Sequence, residues 1–149
     1  MNSIDTTQVL KTALFALALC LPLEAPAGPA TDSDSDGVPD VIDNCSAVAN
    51  AGALGCDDDI DGYGNACDGD FNNDLVSDGL DFGSPHFLAD FASGTQAANA
   101  AGNPQGTDMN CDTVIDGVDF TVPYFLTQFA AGSPGPSGLS CAGMGVPCL

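Results

Sequence analysis

The residues best suited to chemistry in this sequence are aspartates, and they are spaced as ligands. From Asp57 to Phe82 the chain reads DDDIDGYGNACDGDFNNDLVSDGLDF, without a basic residue, and two twelve-residue loops fit on it end to end. In the first, Asp57, Asp59, Asp61, Asn65 and Asp68 fall at positions 1, 3, 5, 9 and 12, with the Tyr63 carbonyl at 7. In the next, Asp70, Asn72, Asp74, Asp78 and Asp81 fall at the same positions, with the Val76 carbonyl at 7. An earlier loop, DSDSDGVPDVID, supplies Asp32, Asp34, Asp36, Asp40 and Asp43 with the Val38 carbonyl. A later one supplies Asp108, Asn110, Asp112, Asp116 and Asp119 with the Val114 carbonyl. Hard cations such as Ca²⁺ take about six to eight oxygens from carboxylates, amides, carbonyls and water, and this alternation offers them from one short loop. About four Ca²⁺ per chain are therefore expected.

Composition makes the need for cations acute. Beyond residue 30 there are nineteen Asp and no Glu, Lys or Arg, and seventeen of those Asp stand at the loop positions above, leaving out only Asp58 and Asp90. Two like charges about 4 Å apart at an effective dielectric near 20 repel by roughly 4 kcal/mol. No internal salt bridge is available to offset this, so a compact fold requires cations from outside. Nucleic acid and anionic membrane surfaces are poor partners for such a chain. A disordered acidic segment is the competing reading, and apolar residues with Asp at fixed offsets argue against it when calcium is present.

Elements must hold these loops in place. Residues 1–30 read as a secretory signal: Lys11 near the start, an apolar run from Thr12 to Leu23, and small residues at Ala25-Pro26-Ala27 or Gly28-Pro29-Ala30. The run is shorter than the roughly 20 residues that span a bilayer. Cys20 is a candidate lipid-attachment site, disfavoured by the bulky Leu19 before it. Removing the signal leaves Cys45, Cys56, Cys67, Cys111, Cys141 and Cys148, an even set suited to an oxidising compartment and a small core. Fifteen pairings are open; Cys141 and Cys148 are near enough in sequence to close a small loop. Zinc is a poor alternative, because CxxC pairs are lacking and His86 is the only histidine. Asn44-Cys45-Ser46 forms a formal glycosylation sequon.

The strings DSDSDGVPDVIDNC and DDDIDGYGNACD resemble the thrombospondin type 3 repeat, with its DxDxDGxxDxxDNC and DxDGxGxxCD signatures. The resemblance covers about residues 32–70. Cys45 and Cys67 fall where that repeat carries its cysteines, and Cys56 is extra. It implies an irregular module wrapped around calcium with hardly any helix or strand.

A duplication follows. GDFNNDLVSDGLDFGSPHFLADFASG from Gly69 aligns without gaps on TDMNCDTVIDGVDFTVPYFLTQFAAG from Thr107, 38 residues apart. Each loop leads into an apolar segment with a proline, which predicts helices near 84–92 and 122–131, with Pro85 and Pro123 in the first turn and Gly94 and Gly132 as stops. The Phe and Leu of one copy form a stripe it cannot bury alone, so the copies are expected to pack about a pseudo-twofold axis. The pair resembles the dockerin type I repeat, a half EF-hand of calcium loop and exiting helix, over about 69–131. It departs from that pattern at position 6 (Leu75 and Thr113 instead of Gly), at the prolines that interrupt the helix, and at positions 10 and 11 (Gly79-Leu80 and Gly117-Val118 instead of hydroxyl pairs). Residues 93–106 read as a linker and 133–149 as an irregular Pro/Gly-rich tail.

The expected fold is small, mostly irregular and calcium-stabilised, with short α-helices. Its segments are a signal (1–30), a thrombospondin type 3-like module (31–68), a dockerin-like duplicated module (69–132) and the tail (133–149). The expected function is a secreted, non-enzymatic calcium-binding protein with a metal-dependent fold, structural or adhesive at the cell surface or outside it. The alternative is a module that docks a cohesin-like protein. Partners follow accordingly: calcium, then either self-association into a surface or fibre assembly or that cohesin-like protein, with no nucleic acid and no membrane after signal cleavage. Acid catalysis by paired Asp is the reading from another class, weakened by the absence of a basic residue to orient a substrate.

Overall fold

The computed structural model describes residues 30–52 and 55–148. The segment read as a signal, with Lys11 and Cys20, lies outside the described residues except for Ala30. Among those described there is no β-strand, only an isolated antiparallel bridge between Ala98 and Pro104. The described residues hold three short α-helices: α1 (Gly79–Phe82), α2 (Phe87–Ser93) and α3 (Phe125–Ala131). Single 3-10 turns occur at Asp40–Ile42 and Asn65–Cys67. No helix among the described residues is long and apolar enough to cross a membrane.

Helices α2 and α3 end as the sequence predicts. Gly94 and Gly132 are left-handed, at φ 69° and 77°, and their amides donate to the carbonyls of Asp90 and Gln128. The starts differ from expectation. Pro85 and Pro123 sit outside the helices, one residue before the N-caps His86 and Tyr124. A proline inside a helix removes an amide and clashes with the preceding turn. In the first copy the exiting helix is accordingly broken into α1 and α2. Asp78 caps α1, its carboxylate accepting from the Leu80 amide while Asp81 accepts from the Asp78 amide.

The main core is built from equivalents of the duplication. Phe71, Phe87, Met109, Ile115 and Phe125 are buried, with Phe82, Phe120 and Tyr124 packed against them. Phe87 stacks on Phe125 at 5.9 Å between ring centres, and Phe82 meets Phe120 at 5.0 Å. Burying a side chain of this kind contributes about 1.5–3 kcal/mol, so a handful carries most of the apolar stabilisation. The predicted stripe is only partly covered, however. Leu88, Phe91, Leu126 and Phe129 stay 44%, 48%, 38% and 47% exposed, while Phe87 and Phe125 of the same two helices are buried in the core. At one core position the copies diverge: Ser77 stands where Ile115 stands in the second, and its hydroxyl is buried without a partner.

A smaller cluster of Cys45, Val48, Ala66 and Cys67 serves the first module, and Tyr124 packs on both clusters. Disulfides join Cys45 to Cys67, Cys56 to Cys111 and Cys141 to Cys148, with Cα atoms 5.6, 6.4 and 5.5 Å apart. The second bridge ties the first module to the duplicated one.

The segment read as a linker and the irregular tail both pack onto the loops. The supposed linker folds on itself, with Gln105 N donating to the Ala97 carbonyl, and docks on the second loop, where Gln96 Nε2 reaches Asp58 at 2.6 Å and Asn103 Nδ2 reaches the Asp59 carbonyl at 3.1 Å. The tail runs back across the first two loops. Amides of Gly135, Gly138, Gly143 and Cys148 donate to the carbonyls of Cys67, Asp43, Asp61 and Ile60, and Ser137 Oγ donates to Gly62 O at 2.6 Å.

Candidate metal centres

The four acidic loops share one backbone design. Position 4 is left-handed in each: Ser35, Ile60, Asn73 and Cys111 have φ 65°, 58°, 60° and 57°. Position 6 is left-handed too, with Gly37 and Gly62 at 96° and Leu75 and Thr113 at 68° and 73°. The carboxylate at position 1 reaches across this turn to the position 6 amide in all four loops: Asp32 to Gly37, Asp57 to Gly62, Asp70 to Leu75 and Asp108 to Thr113. The carboxylate at position 5 accepts from the position 7 amide: Asp36 from Val38, Asp61 from Tyr63, Asp74 from Val76 and Asp112 from Val114. At position 1 the second oxygen is held as well, Asp32, Asp57, Asp70 and Asp108 accepting from the amides of Ser35, Asp61, Asp74 and Asp112, so backbone fixes how these carboxylates are turned.

Position 12 divides the loops into two pairs. Asp43 and Asp68 turn forward to the amides of Cys45 and Asp70. Asp81 and Asp119 turn back into their own loops. Asp81 holds the amides of Asn72 and Asp78, and Asp119 holds those of Asn110, Met109 and Asp116. Asp43 and Asp68 precede the duplication, whereas Asp81 and Asp119 close its two loops.

The predicted ligands converge to different degrees. Asp32, Asp34 and Asp36 bring carboxylate oxygens within 4.8 Å of one another, as do Asp57, Asp59 and Asp61. In the third and fourth loops position 3 is an amide, Asn72 or Asn110, and no three carboxylates approach so closely among the described residues. Position 9 varies. Asp40 spends both oxygens on Ser33, and Asn65 spends its amide on the Asp58 backbone and side chain and on the Asp108 carbonyl. Asp78 and Asp116 each accept from an amide two residues on.

Burial without counter-charge perturbs these acids. In the second and third loops desolvation pushes Asp57 up to about 6, Asp61 to about 7 and Asp70 to about 6. Asp59 is raised, and the fully enclosed Asp68 is raised well above the usual range, again by desolvation and then by neighbouring aspartates. Asp34, Asp43, Asp81, Asp108 and Asp119 rise for the same first reason. Asp36 alone moves down, held by the amides of Asn50 and Val38.

The donor set fits a hard divalent cation. Among the described residues Asp34 Oδ2, Asp43 Oδ2 and Asn72 Oδ1 are buried with no protein partner, and all three stand at ligand positions. A buried oxygen left unpaired costs about 1–3 kcal/mol, more if charged, so a cation is the natural partner. Calcium would be held by positions 1, 3, 5 and 12 and the position 7 carbonyl, and supplies positive charge and cross-linking of oxygens.

The two acids outside the ligand positions are structural. Asp58 accepts from Gln96 and Asn65, and buried Asp90 accepts from the Ala97 amide and Thr107 Oγ1. His86 is half-buried against Gln105. Asn44 of the sequon donates to the Gly55 carbonyl and accepts from Asn50, so its amide is engaged within the fold. Sequence reasoning missed the cross-loop bond from Asn73 Nδ2 to Asp59 Oδ2 at 2.8 Å. Its only signal was an extra amide at position 4.

Geometry therefore defines a class: acidic loop modules whose donor sets fit hard cations, stapled by disulfides. Within it, residues 30–53 and 56–82 match the thrombospondin type 3 repeat. Such repeats are extracellular calcium-binding structural modules, not enzymes. The second match runs through the third loop, past the boundary at residue 68 suggested by the duplication. The dockerin resemblance of 69–131 has no counterpart among the family matches. No curated protein and no solved structure matches the chain.

Proposed function

We propose that this is a secreted, non-enzymatic protein whose fold is made by about four bound Ca²⁺, and that it serves as a structural or adhesive subunit at the cell surface or outside it. The supporting observation is the set of buried ligand-position oxygens with no protein partner, Asp34 Oδ2, Asp43 Oδ2 and Asn72 Oδ1. A preformed site is absent from an unfolded chain, so binding free energy becomes folding free energy. Sites of extracellular grade, with Kd about 10⁻⁴ to 10⁻³ M, are expected. The test is native mass spectrometry with hydrogen exchange before and after chelation. Four ions per chain (three if the Leu75 loop stays empty) and a collapse of protection on chelation are expected. Unchanged protection in metal-free buffer sinks the proposal.

A second reading is docking of a protein such as a cohesin through the paired helices. It rests on the half-exposed Leu88, Phe91, Leu126 and Phe129. Electron microscopy of the secreted protein separates the two: polymers support a structural subunit, and a soluble one-to-one complex supports docking.

A further inference from the structure

Among the described residues the second loop is bonded to the third loop, the fourth loop and the tail. Its Asp59 accepts from Asn73 of the third loop, its Asp68 holds the Asp70 amide, and its Asp61 and Ile60 carbonyls receive the tail. It is also tied to the fourth loop, across sequence separations of 43 and 55 residues. Cys56, immediately before Asp57, is bonded to Cys111. Cys111 is the left-handed position 4 residue of the fourth loop, between the ligand-position residues Asn110 and Asp112. Beside this bridge, buried Asn65 donates from Nδ2 to the Asp108 carbonyl at 2.9 Å while its Oδ1 accepts from the Asp58 amide at 2.9 Å. A covalent bond and a buried amide thus join the start of one ligand array to the start and middle of the other.

We infer that the second and fourth loops bind calcium as one cooperative pair, with Cys56–Cys111 and Asn65 as the coupling residues. The inference rests on the calcium reading above. Ordering either loop fixes the anchor of the other, so the second ion meets a loop whose conformational entropy is already spent. The sign separates this from simple electrostatics. Two bound cations repel, so a purely Coulombic link makes binding at one loop weaken the other. Mechanical coupling makes it stronger, and equally so in both directions.

Each loop carries its own reporter. The amides of Gly37, Gly62 and Thr113 donate to the position 1 carboxylates of the first, second and fourth loops. Their ¹⁵N-resolved shifts during calcium titration therefore read each loop separately. Asp112→Asn in the fourth loop should move the calcium midpoint at Gly62 up by roughly tenfold, within the usual range of coupling between sites, and leave Gly37 within about twofold. Adding Cys56→Ala and Cys111→Ala should shrink the Gly62 response. A Gly62 midpoint that stays put or falls in Asp112→Asn overturns the coupling, and equal shifts at Gly62 and Gly37 overturn its locality. Calcium shifting none of these amides would defeat the calcium reading itself, whereas independent titrations defeat only the coupling.

Discussion

At the scale of single residues, position 6 is the weak point of the duplicated loops. Left-handed backbone costs a residue with a Cβ roughly 1–2 kcal/mol, and Leu75 and Thr113 adopt it where the first two loops use glycine. Glycine also loosens the unfolded chain, which offsets about 0.4–1 kcal/mol of the gain. Thr113→Gly is therefore expected to raise stability in saturating calcium by about 0.5–1 kcal/mol, read as a higher denaturant midpoint at unchanged slope, and to tighten the fourth loop. Leu75→Gly should gain less. A methyl at Gly143 would meet the Leu75 side chain at 3.0 Å, so leucine also packs against the tail. Equal or opposite effects of the two substitutions would contradict this account.

At the scale of elements, the tail is part of the first module. Gly138 lies so close to the first loop that an added Cβ would sit 1.5 Å from the Asp40 carbonyl oxygen, a collision with backbone that side-chain movement cannot relieve. Gly138→Ala is expected to lift the tail and cost about 2 kcal/mol, within the range for overpacking. It should also release the hydrogen-exchange protection of the Gly143 and Cys148 amides. Gly117→Ala, where the added atom meets nothing within 4 Å, is the control and should be near neutral. Retained protection at Gly143 and Cys148 in Gly138→Ala would show the tail contact to be incidental. The contrast with the loops explains what could be read from sequence. Ligand offsets, the repeat of Gly69–Gly94 at Thr107–Gly132 and the glycine stops are written in residue types. The tail docks largely through backbone amides and carbonyls, which leave no compositional trace, and the side-chain amides of Gln96 and Asn103 find their partners only once the fold brings the second loop beside them. Asn65 was legible as a position 9 residue, but its bond to the Asp108 carbonyl depends on a fold that brings the fourth loop beside the second. The helix starts were misplaced because Pro85 and Pro123 fit a first turn equally well on paper.

At the scale of the whole molecule, protons and calcium compete for the same oxygens. Without metal, Asp57, Asp61 and Asp70 have folded-state values near 6, 7 and 6, raised by burial above the ordinary carboxylate value near 3.9. The metal-free fold therefore binds more protons than the unfolded chain between about pH 4 and 7, and its stability falls as pH rises through that window. The contribution is full below about pH 4 and lost above about pH 7. With calcium the dependence reverses, because the ion needs the carboxylates ionised. Affinity should climb from pH 5 to 7.5 and the loaded fold should be firmest near neutrality. Tyr63, whose carbonyl belongs to the second loop, and Tyr124, which packs on both clusters, make near-ultraviolet circular dichroism a direct readout in a chain without tryptophan. In metal-stripped buffer the tyrosine signal should grow on acidification from pH 7.5 to 4.5, and in millimolar calcium it should weaken over the same interval. A metal-free protein better ordered at pH 7.5 than at 4.5 would mean that these aspartates are not buried as the structure places them, and that some other source of positive charge holds the loops together.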